Sequence, residues 1–310
     1  MLEVNTVVRF HDAQRIPELK RCLFSLVGQS YRPLHIILAL QRFSNKEIDE
    51  TRAAISSIVK EDDSLRLSIV NYELSQPEDA RSALLNLGTL TASKEYLAFL
   101  DYDDVLYPEA YQLLTSQIAR TKAAIVFSSV RVMRLTVYDQ YFYAEGRVGA
   151  PFGGTDLVDL FKANFCPLHS YMLDRRIVSD SELRFNTSMK IEEDYDMLLR
   201  VCAKYRSDFG LIEKFIGDYY YKTDGSNTVA TDGGLAGESL AYYMNVKSAI
   251  EDRRKNTVIS PTVQHMLGLP LTEDALTIQD VVNYFFSGWT SGSRSKPPIA
   301  PDPLSSAAAE

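Results

Sequence analysis

The sequence predicts an α/β protein built on a mostly parallel central sheet that is flanked by helices. Two observations lead to this fold class. Short apolar runs alternate with segments of helical periodicity through the first hundred residues. Such alternation is typical of parallel strands joined by right-handed helical crossovers. The overall composition agrees, since 45% hydrophobic and 24% charged residues are ordinary values for a globular domain.

Four buried strands and three helices are predicted in the first hundred residues. The strands are expected at residues 4–10, 34–40, 65–72 and 96–100. The first helix begins at Pro17, a residue suited to a first helical turn. The second covers residues 46–59 and takes Ser44 or Asn45 as its N-cap. The third covers residues 79–92.

The pattern becomes less regular after the fourth strand. Helices are expected from Pro108, at residues 156–163 and at residues 192–205, where apolar side chains share one helical face. Strands are expected at residues 124–133, 135–144 and 169–173. We predict one domain over residues 1–230, with halves at 1–104 and 105–230, and a helical extension over residues 231–290. Residues 291–310 are rich in Ser, Pro and Ala and predict a disordered tail.

Charge and cysteine content narrow the classes of function. The net charge of −8 disfavours a nucleic-acid partner, because no basic patch offsets it. Cys22, Cys166 and Cys202 are widely spaced in apolar surroundings, which predicts buried, reduced thiols. Neither a signal peptide nor a membrane span is apparent, so we expect a cytoplasmic protein.

An acidic cluster follows the fourth predicted strand. Asp101, Asp103 and Asp104 lie within four residues, and such crowding is costly unless a cation lies among them. Carboxylate oxygens suit Mn²⁺ or Mg²⁺, and ligands of parallel sheets bind at this end of the strands. The alternative is an acidic loop that precedes the next helix and interacts with its dipole.

A second acidic segment, residues 192–196, begins the best-defined helix of the second half. The positive end of the helix dipole is expected to favour ionised carboxylates there, as a general base requires. An acidic first turn without function is the alternative interpretation.

These motifs together resemble glycosyltransferase family 2, whose members have the GT-A fold. The resemblance rests on Asn86-Leu87-Gly88, on Asp101-Tyr102-Asp103 as a DxD motif, on residues 193–196, and on residues 221–227 as a loop that closes over a diphosphate. It covers about residues 4–227. It implies that residues 1–230 form a GT-A catalytic domain with a donor-binding and an acceptor half.

The resemblance also implies roles for individual residues. Expected donor contacts are Phe10, His11, Gln41, Arg81, Asn86, Asp101, Tyr102 and Lys222. Expected ligands of Mn²⁺ or Mg²⁺ are Asp101, Asp103, Asp104 and Asp224. Asp194 is the expected catalytic base, with Glu193 as the alternative. His169 and Asp196 are expected to contact the acceptor.

Three positions depart from the family pattern. The place of an Asp pair that contacts the nucleotide base is taken by Leu40 and Gln41, which leaves the nucleotide open. The metal-binding His of the closing loop is replaced by Asp224. The Arg before Asn86 is replaced by Leu85, so Arg81 is the candidate for the phosphate contact.

The implied function is inverting sugar transfer from a nucleotide-sugar donor to a glycan or lipid-linked acceptor, in the synthesis of surface polysaccharide or lipopolysaccharide. One alternative is a sugar-nucleotidyltransferase, but residues 9–15 lack the glycines that would hold a triphosphate. The other is a non-catalytic module that binds nucleotide sugars or carbohydrate.

The end of the predicted extension carries an apolar patch. Its members are Val281, Val282, Tyr284, Phe285, Phe286 and Trp289. The patch predicts packing on the catalytic domain or on a second copy of the chain. Peripheral contact with the inner face of a membrane is the other interpretation.

Overall fold

A nine-stranded mixed sheet forms the centre of the protein in the computed structural model, which describes residues 1–138, 141–148, 152–222, 238–269 and 275–286. The strands are β1 (Val4–Phe10), β2 (Leu34–Gln41), β3 (Leu65–Tyr72), β4 (Tyr96–Asp101), β5 (Val105–Leu106), β6 (Ile125–Val137), β7 (Phe142–Val148), β8 (Tyr171–Asp174) and β9 (Ser207–Lys222). Their order is β3-β2-β1-β4-β8-β6-β9-β5, and β7 pairs with β6.

The helices of the described residues pack on both faces of this sheet. They are α1 (Ile16–Val27), α2 (Asn45–Ile55), α3 (Arg81–Thr91), α4 (Ala110–Thr121), α5 (Leu157–Lys162), α6 (Glu193–Lys204), α7 (Glu238–Asn256), α8 (Pro261–Met266) and α9 (Ile278–Phe286). Pro17 lies in the first turn of α1, and Ser44 caps α2 through a capping box with Glu47, as the sequence predicts.

The predicted parallel arrangement is confirmed for β3, β2, β1 and β4. The second half is mixed, because β8 runs antiparallel to both β4 and β6. The antiparallel strand expected at residues 135–144 corresponds to the β6–β7 hairpin. Strand β9 was not predicted, since its buried positions follow no alternating pattern. Gly217 of β9 lets β5 approach, as a Cβ there would lie 2.3 Å from the Val105 carbonyl oxygen.

Strand alternation divides the core into two faces. Val7 and Phe99 pack with α6 on one face, whereas Val8 and Phe10 pack with α1 on the other. Arg9 and Asp101 follow Val7 and Phe99 by two residues, so both side chains belong to the α6 face. Cys22, Cys166 and Cys202 are buried and unpaired, as predicted.

The described parts of the C-terminal region are helical, as expected. Helix α9 packs against α5 and α7, and α7 and α8 both pack against α6. Val281 is buried there, while Tyr284 and Phe286 are 40% and 45% exposed. Among the described residues, no helix has both the length and the apolar character needed to cross a bilayer. Trp289 and the predicted tail lie outside the described residues.

Gly88 lies where α3 packs closely on the sheet. A Cβ at this position would lie 2.2 Å from Cγ1 of Val7. We expect Gly88→Ala to lower the free energy of unfolding by about 1–3 kcal/mol, because overpacking displaces neighbouring atoms. Urea unfolding monitored by circular dichroism measures the change. Gly153→Ala is the control, since a Cβ there meets nothing within 4 Å. Equal stability of the two variants would contradict the packing.

Candidate active site

A polar cavity of about 290 Å³ opens where β1 and β4 end. Its lining residues come from the ends of β1, β2 and β4, the start of α3, and β9. They are Arg9, His11, Asp12, Arg15, Gln41, Asp79, Arg81, Leu84, Asp101, Tyr102, Asp103, Asp104, Tyr219 and Tyr220. The cavity therefore lies at the carboxyl ends of the parallel strands, where ligands of open α/β sheets bind.

Arg9 connects the two acidic segments. Its Nε and Nη2 donate to the two carboxylate oxygens of Asp101, and Nη1 donates to Oε1 of Glu193 at 2.7 Å. The pairing follows from strand register, because Arg9 and Asp101 are direct neighbours on parallel strands. Burial alone would raise the pKa of Asp101, but the charge and hydrogen bonds of Arg9 outweigh it and the pKa is lowered.

Asp103 is held by two basic side chains. Nζ of Lys222 lies 2.6 Å from Oδ2 of Asp103, and Arg21 donates to the backbone carbonyl of Asp103 at 2.8 Å. The guanidinium of Arg21 lies between the rings of Phe142 and Tyr220, with its central carbon 4.7 and 4.4 Å from the ring centroids. The Asp103 side chain remains 25% exposed, so it faces the cavity.

Asp104 is turned into the protein and is only 2% exposed. It accepts a hydrogen bond from the Tyr220 backbone N–H at 2.8 Å, and Nδ1 of His169 lies 3.4 Å from its other oxygen. Burial, together with the charges of Asp103 and Asp101, raises the pKa of Asp104. Burial lowers the pKa of His169 to about 4, so its imidazole is neutral at neutral pH.

The start of α6 lies on the other side of Arg9. Glu193 is buried, while Asp194 is half-buried and has the Asn164 side-chain amide 3.4 Å from Oδ1. Burial raises the pKa of Asp194 well above its usual range, and the charges of Glu193 and Glu192 add to this rise. Burial and these like charges act against the helix dipole, which was expected to favour the ionised form of this carboxyl.

The mouth of the cavity carries the remaining predicted donor contacts. His11 meets the Tyr102 ring edge-on, with centroids 5.4 Å apart. Arg81 forms an ion pair with Asp79 at 2.8 Å. The Gln41 amide accepts from the Ala80 backbone N–H and donates to the Glu78 carbonyl, each at 3.2 Å. Gln41 thus holds the loop that carries Asp79.

Four residues predicted as contacts lie outside the cavity lining and have protein partners of their own. Phe10 is fully buried against Phe43 and Tyr102. The Asn86 amide exchanges two hydrogen bonds, of 2.8 and 2.9 Å, with the backbone of Phe185.

His169 is buried beside Asp104 and stacks on Tyr219. Asp196 is buried between Arg200 and Arg253, at 3.2 and 2.7 Å. Phe10 and Asn86 as donor contacts, and His169 and Asp196 as acceptor contacts, therefore stay predictions, and each would have to exchange or rearrange these partners to reach a ligand.

Sequence reasoning missed several residues of the site. Arg9, Arg15 and Asp79 line the cavity, and Arg21 supports the Asp103 backbone. Of these residues, only Arg9 was predictable from the sequence, because parallel strand register places its position beside Asp101. Asp224 and most of the predicted closing loop lie outside the described residues.

The residues fit a metal ion that arrives with a phosphate ligand rather than one held by a protein cage. Within the described ranges, no group of three or more His, Cys, Asp or Glu side chains could hold a metal ion. Of the three clustered carboxylates in the cavity lining, Asp101 and Asp104 have both oxygens engaged, whereas Lys222 contacts one oxygen of Asp103. Mg²⁺ commonly takes one or two carboxylates and completes its shell with water and substrate phosphate.

Comparisons with known proteins agree on a family and on a fold. Residues 7–180 match the family model described as glycosyl transferase family 2. No curated protein matches the chain. Residues 1–349 of S. aureus TarS, in a crystal structure with UDP-GlcNAc, superpose with a TM-score of 0.58 at 12% identity, covering 91% of this chain and 71% of that chain.

A crystal structure titled TarS 1–349 gives a TM-score of 0.56 at 13% identity and covers 92% of this chain and 72% of that chain. The structure titled S. aureus TarS gives 0.53 at 12% identity, covering 84% and 41% of the two chains. At such identities the likeness concerns the fold alone.

Asp196→Asn tests the structural role assigned to Asp196. We expect the free energy of unfolding to fall by about 2–3 kcal/mol, because two charged hydrogen bonds lose their acceptor charge. Glu50→Gln is the control; Glu50 is 64% exposed and pairs with Lys46, and such a pair contributes about 1 kcal/mol or less. Urea unfolding compares the two variants. Unchanged stability of Asp196→Asn would contradict the structural role.

Proposed function

The chain belongs to glycosyltransferase family 2 and has the GT-A fold, and from this premise we propose that it transfers a sugar from a nucleotide-sugar donor to an acceptor hydroxyl with inversion. The observation that carries the proposal is the cavity with Asp103 on one side and the acidic start of α6 beyond Arg9. Arg9 lines this cavity and donates to Glu193, the chain neighbour of the proposed base Asp194, which supports a base close to the donor site.

The donor diphosphate is assigned to the part of the cavity that is rich in basic side chains. Arg15 and Arg81 line the cavity, Lys222 contacts Asp103 of its lining, and each of the three has an acidic neighbour in the donor-free state. A diphosphate would compete with those carboxylates for the same N–H donors. Neutralising the departing nucleoside diphosphate in this way lowers the barrier to bond cleavage.

The proposed cofactor is Mn²⁺ or Mg²⁺, with Asp103 as its protein ligand. Bound to the diphosphate, the ion would supply Lewis-acid stabilisation of the leaving group. Lys222, which is paired with Asp103 at 2.6 Å, would then be available to the phosphate oxygens. Asp101 stays with Arg9 in this scheme.

Asp194 is the proposed general base. A raised pKa makes its ionised form a stronger proton acceptor, provided that the working pH lies above that pKa. Asp194 would take the proton from the acceptor hydroxyl as its oxygen attacks the anomeric carbon. A single displacement opposite the leaving group inverts the configuration through a transition state with oxocarbenium character.

The nucleotide and the acceptor define the biological role. The Gln41 amide is hydrogen-bonded to the neighbouring loop, so it would have to break those bonds to contact a nucleotide base. UDP sugars are the first probes, because a TarS structure contains UDP-GlcNAc. We propose a glycan or lipid-linked acceptor in surface polysaccharide or lipopolysaccharide synthesis.

A nucleotide-release screen tests the proposal. The full chain is incubated with individual UDP, GDP, CDP and TDP sugars in the presence of Mg²⁺ or Mn²⁺, and the free nucleotide is measured. Release of a nucleoside diphosphate supports sugar transfer. Binding by calorimetry without release would identify a non-catalytic module, and turnover only with a nucleoside triphosphate and a sugar phosphate would identify a nucleotidyltransferase.

Asp194→Asn should slow transfer by about 100- to 10,000-fold, because the amide cannot accept the hydroxyl proton. Donor binding, measured by calorimetry, should persist. In the parent protein, the rate should fall as the pH drops through the raised pKa of Asp194, since only the ionised form is a base. Glu50→Gln, at an exposed carboxylate paired with Lys46, serves as the control. Near-normal turnover of Asp194→Asn would remove it from the base role.

Asp103→Ala should abolish the dependence of donor binding on Mn²⁺ or Mg²⁺, because its carboxylate is the protein ligand in our scheme. Calorimetric titration of UDP, with the ion and with chelator, gives the comparison. Asp49→Ala, at an exposed position of α2, should retain the ion dependence of the parent. A parent protein that binds and turns over donor equally well in chelator would contradict the metal assignment.

A further inference from the structure

Among the ion pairs of the described residues, those of Arg9 are the ones that join the DxD segment to the start of α6. Its partners Asp101 and Glu193 come from segments that approach only in the folded protein, since Glu193 is 184 residues from Arg9. The Arg9 side chain is only 15% exposed and the Glu193 side chain 6%. Both ionic contacts are therefore largely shielded from solvent, where charge pairing has its largest effect.

The chemistry of this contact requires the arginine fork. Nε and Nη2 take both oxygens of Asp101, while Nη1 points to Glu193. A lysine keeps the charge but offers a single nitrogen, which cannot reproduce this two-sided geometry. An uncharged side chain would leave two buried carboxylates without compensation, which is strongly unfavourable.

The start of α6 is acidic and has no side-chain cap. Glu192, its N-cap, has a left-handed backbone with φ of 59° and forms no side-chain capping hydrogen bond. Three acidic residues follow one another there, Glu192, Glu193 and Asp194. The Arg9–Glu193 ion pair holds this helix end on the side of the sheet, while Arg253 binds Asp196 of the same turn from α7.

On these grounds, and resting on the proposed function, we propose that Arg9 is a positioning residue for sugar transfer. It ties the first turn of α6 to the end of β4 and so sets the place of Asp194 relative to the bound donor. Asp194 is next to Glu193 in the chain, so a shift of Glu193 moves it as well. Arg9 takes no part in the proton transfer, which is assigned to Asp194.

The charge of Arg9 also acts on the Asp194 carboxyl. Burial and the charges of Glu193 and Glu192 raise the pKa of Asp194, and Arg9 acts in the opposite direction. From the other packed elements, Tyr171 of β8 and Cys166 face it as neutral groups with raised pKa values. Loss of the Arg9 charge should therefore move the acidic limb of the rate profile to higher pH.

Two substitutions separate the geometry of Arg9 from its charge. Arg9→Lys should speed hydrogen–deuterium exchange of the amides of residues 193–196 and lower the rate of nucleotide release by about 100-fold, because small misplacements of a reacting group are costly. The donor KM should stay close to that of the parent. Arg9→Met should show both effects and, in addition, shift the acidic limb upward.

The control is Arg175→Lys. Arg175 is also buried, but it binds the carbonyls of Thr89, Ala92 and Ser93 away from the cavity. We expect lower stability for this variant, with the release rate per folded molecule and the pH profile of the parent. The double variant Arg9→Met with Glu193→Gln should regain stability, since it removes an unpaired charge, but not the rate.

The outcomes are distinguishable from failure of the proposed function. If the parent releases nucleotide from no donor, the proposed function is wrong. Unchanged exchange of residues 193–196 in Arg9→Lys overturns the role of Arg9 whatever the activity. Faster exchange with a parental release rate and pH profile also overturns it, because Arg9 would then be merely structural.

Discussion

The need to compensate buried carboxylates governs this structure more than any other constraint. Asp101 and Glu193 are brought together where the sheet meets α6, and neither would be stable there as an ion without a cation. Arg9 supplies that charge from β1, with Nη1 2.7 Å from Glu193 and a fork on Asp101. The same principle explains Lys222 beside Asp103. The basic side chains of the donor-free cavity are thereby paired with carboxylates, so a phosphate ligand must exchange partners with the protein.

The position of that network follows from the sheet. Parallel register places Arg9 beside Asp101, and strand alternation turns both toward α6 while Phe10 enters the opposite core. Part of this arrangement is predictable from the sequence. The periodicity of residues 4–100 predicts the parallel half, and the acidic residues after the fourth strand are correctly expected at its carboxyl end. The irregular burial of β9 gave no such signal.

The sequence does not predict the hydrogen-bond and ion-pair partners of the site residues. The sequence shows that Asp101 and Asp196 belong to acidic motifs. Only the folded structure shows that each of them binds an arginine from a distant segment. Similarly, Gln41 and Asn86 have amides that could contact a nucleotide, whereas their hydrogen bonds go to nearby backbone. Contacts between residues far apart in the chain depend on tertiary packing, which local patterns do not encode.

The proposed donor site lies between Asp103 and the basic side chains of the cavity, facing the start of α6. A crystal structure of the full chain with Mn²⁺ and UDP tests this placement. We expect an ion bound to Asp103 and to the diphosphate, with the terminal phosphate directed toward Asp194. A nucleotide bound elsewhere, or an ion held without Asp103, would contradict it.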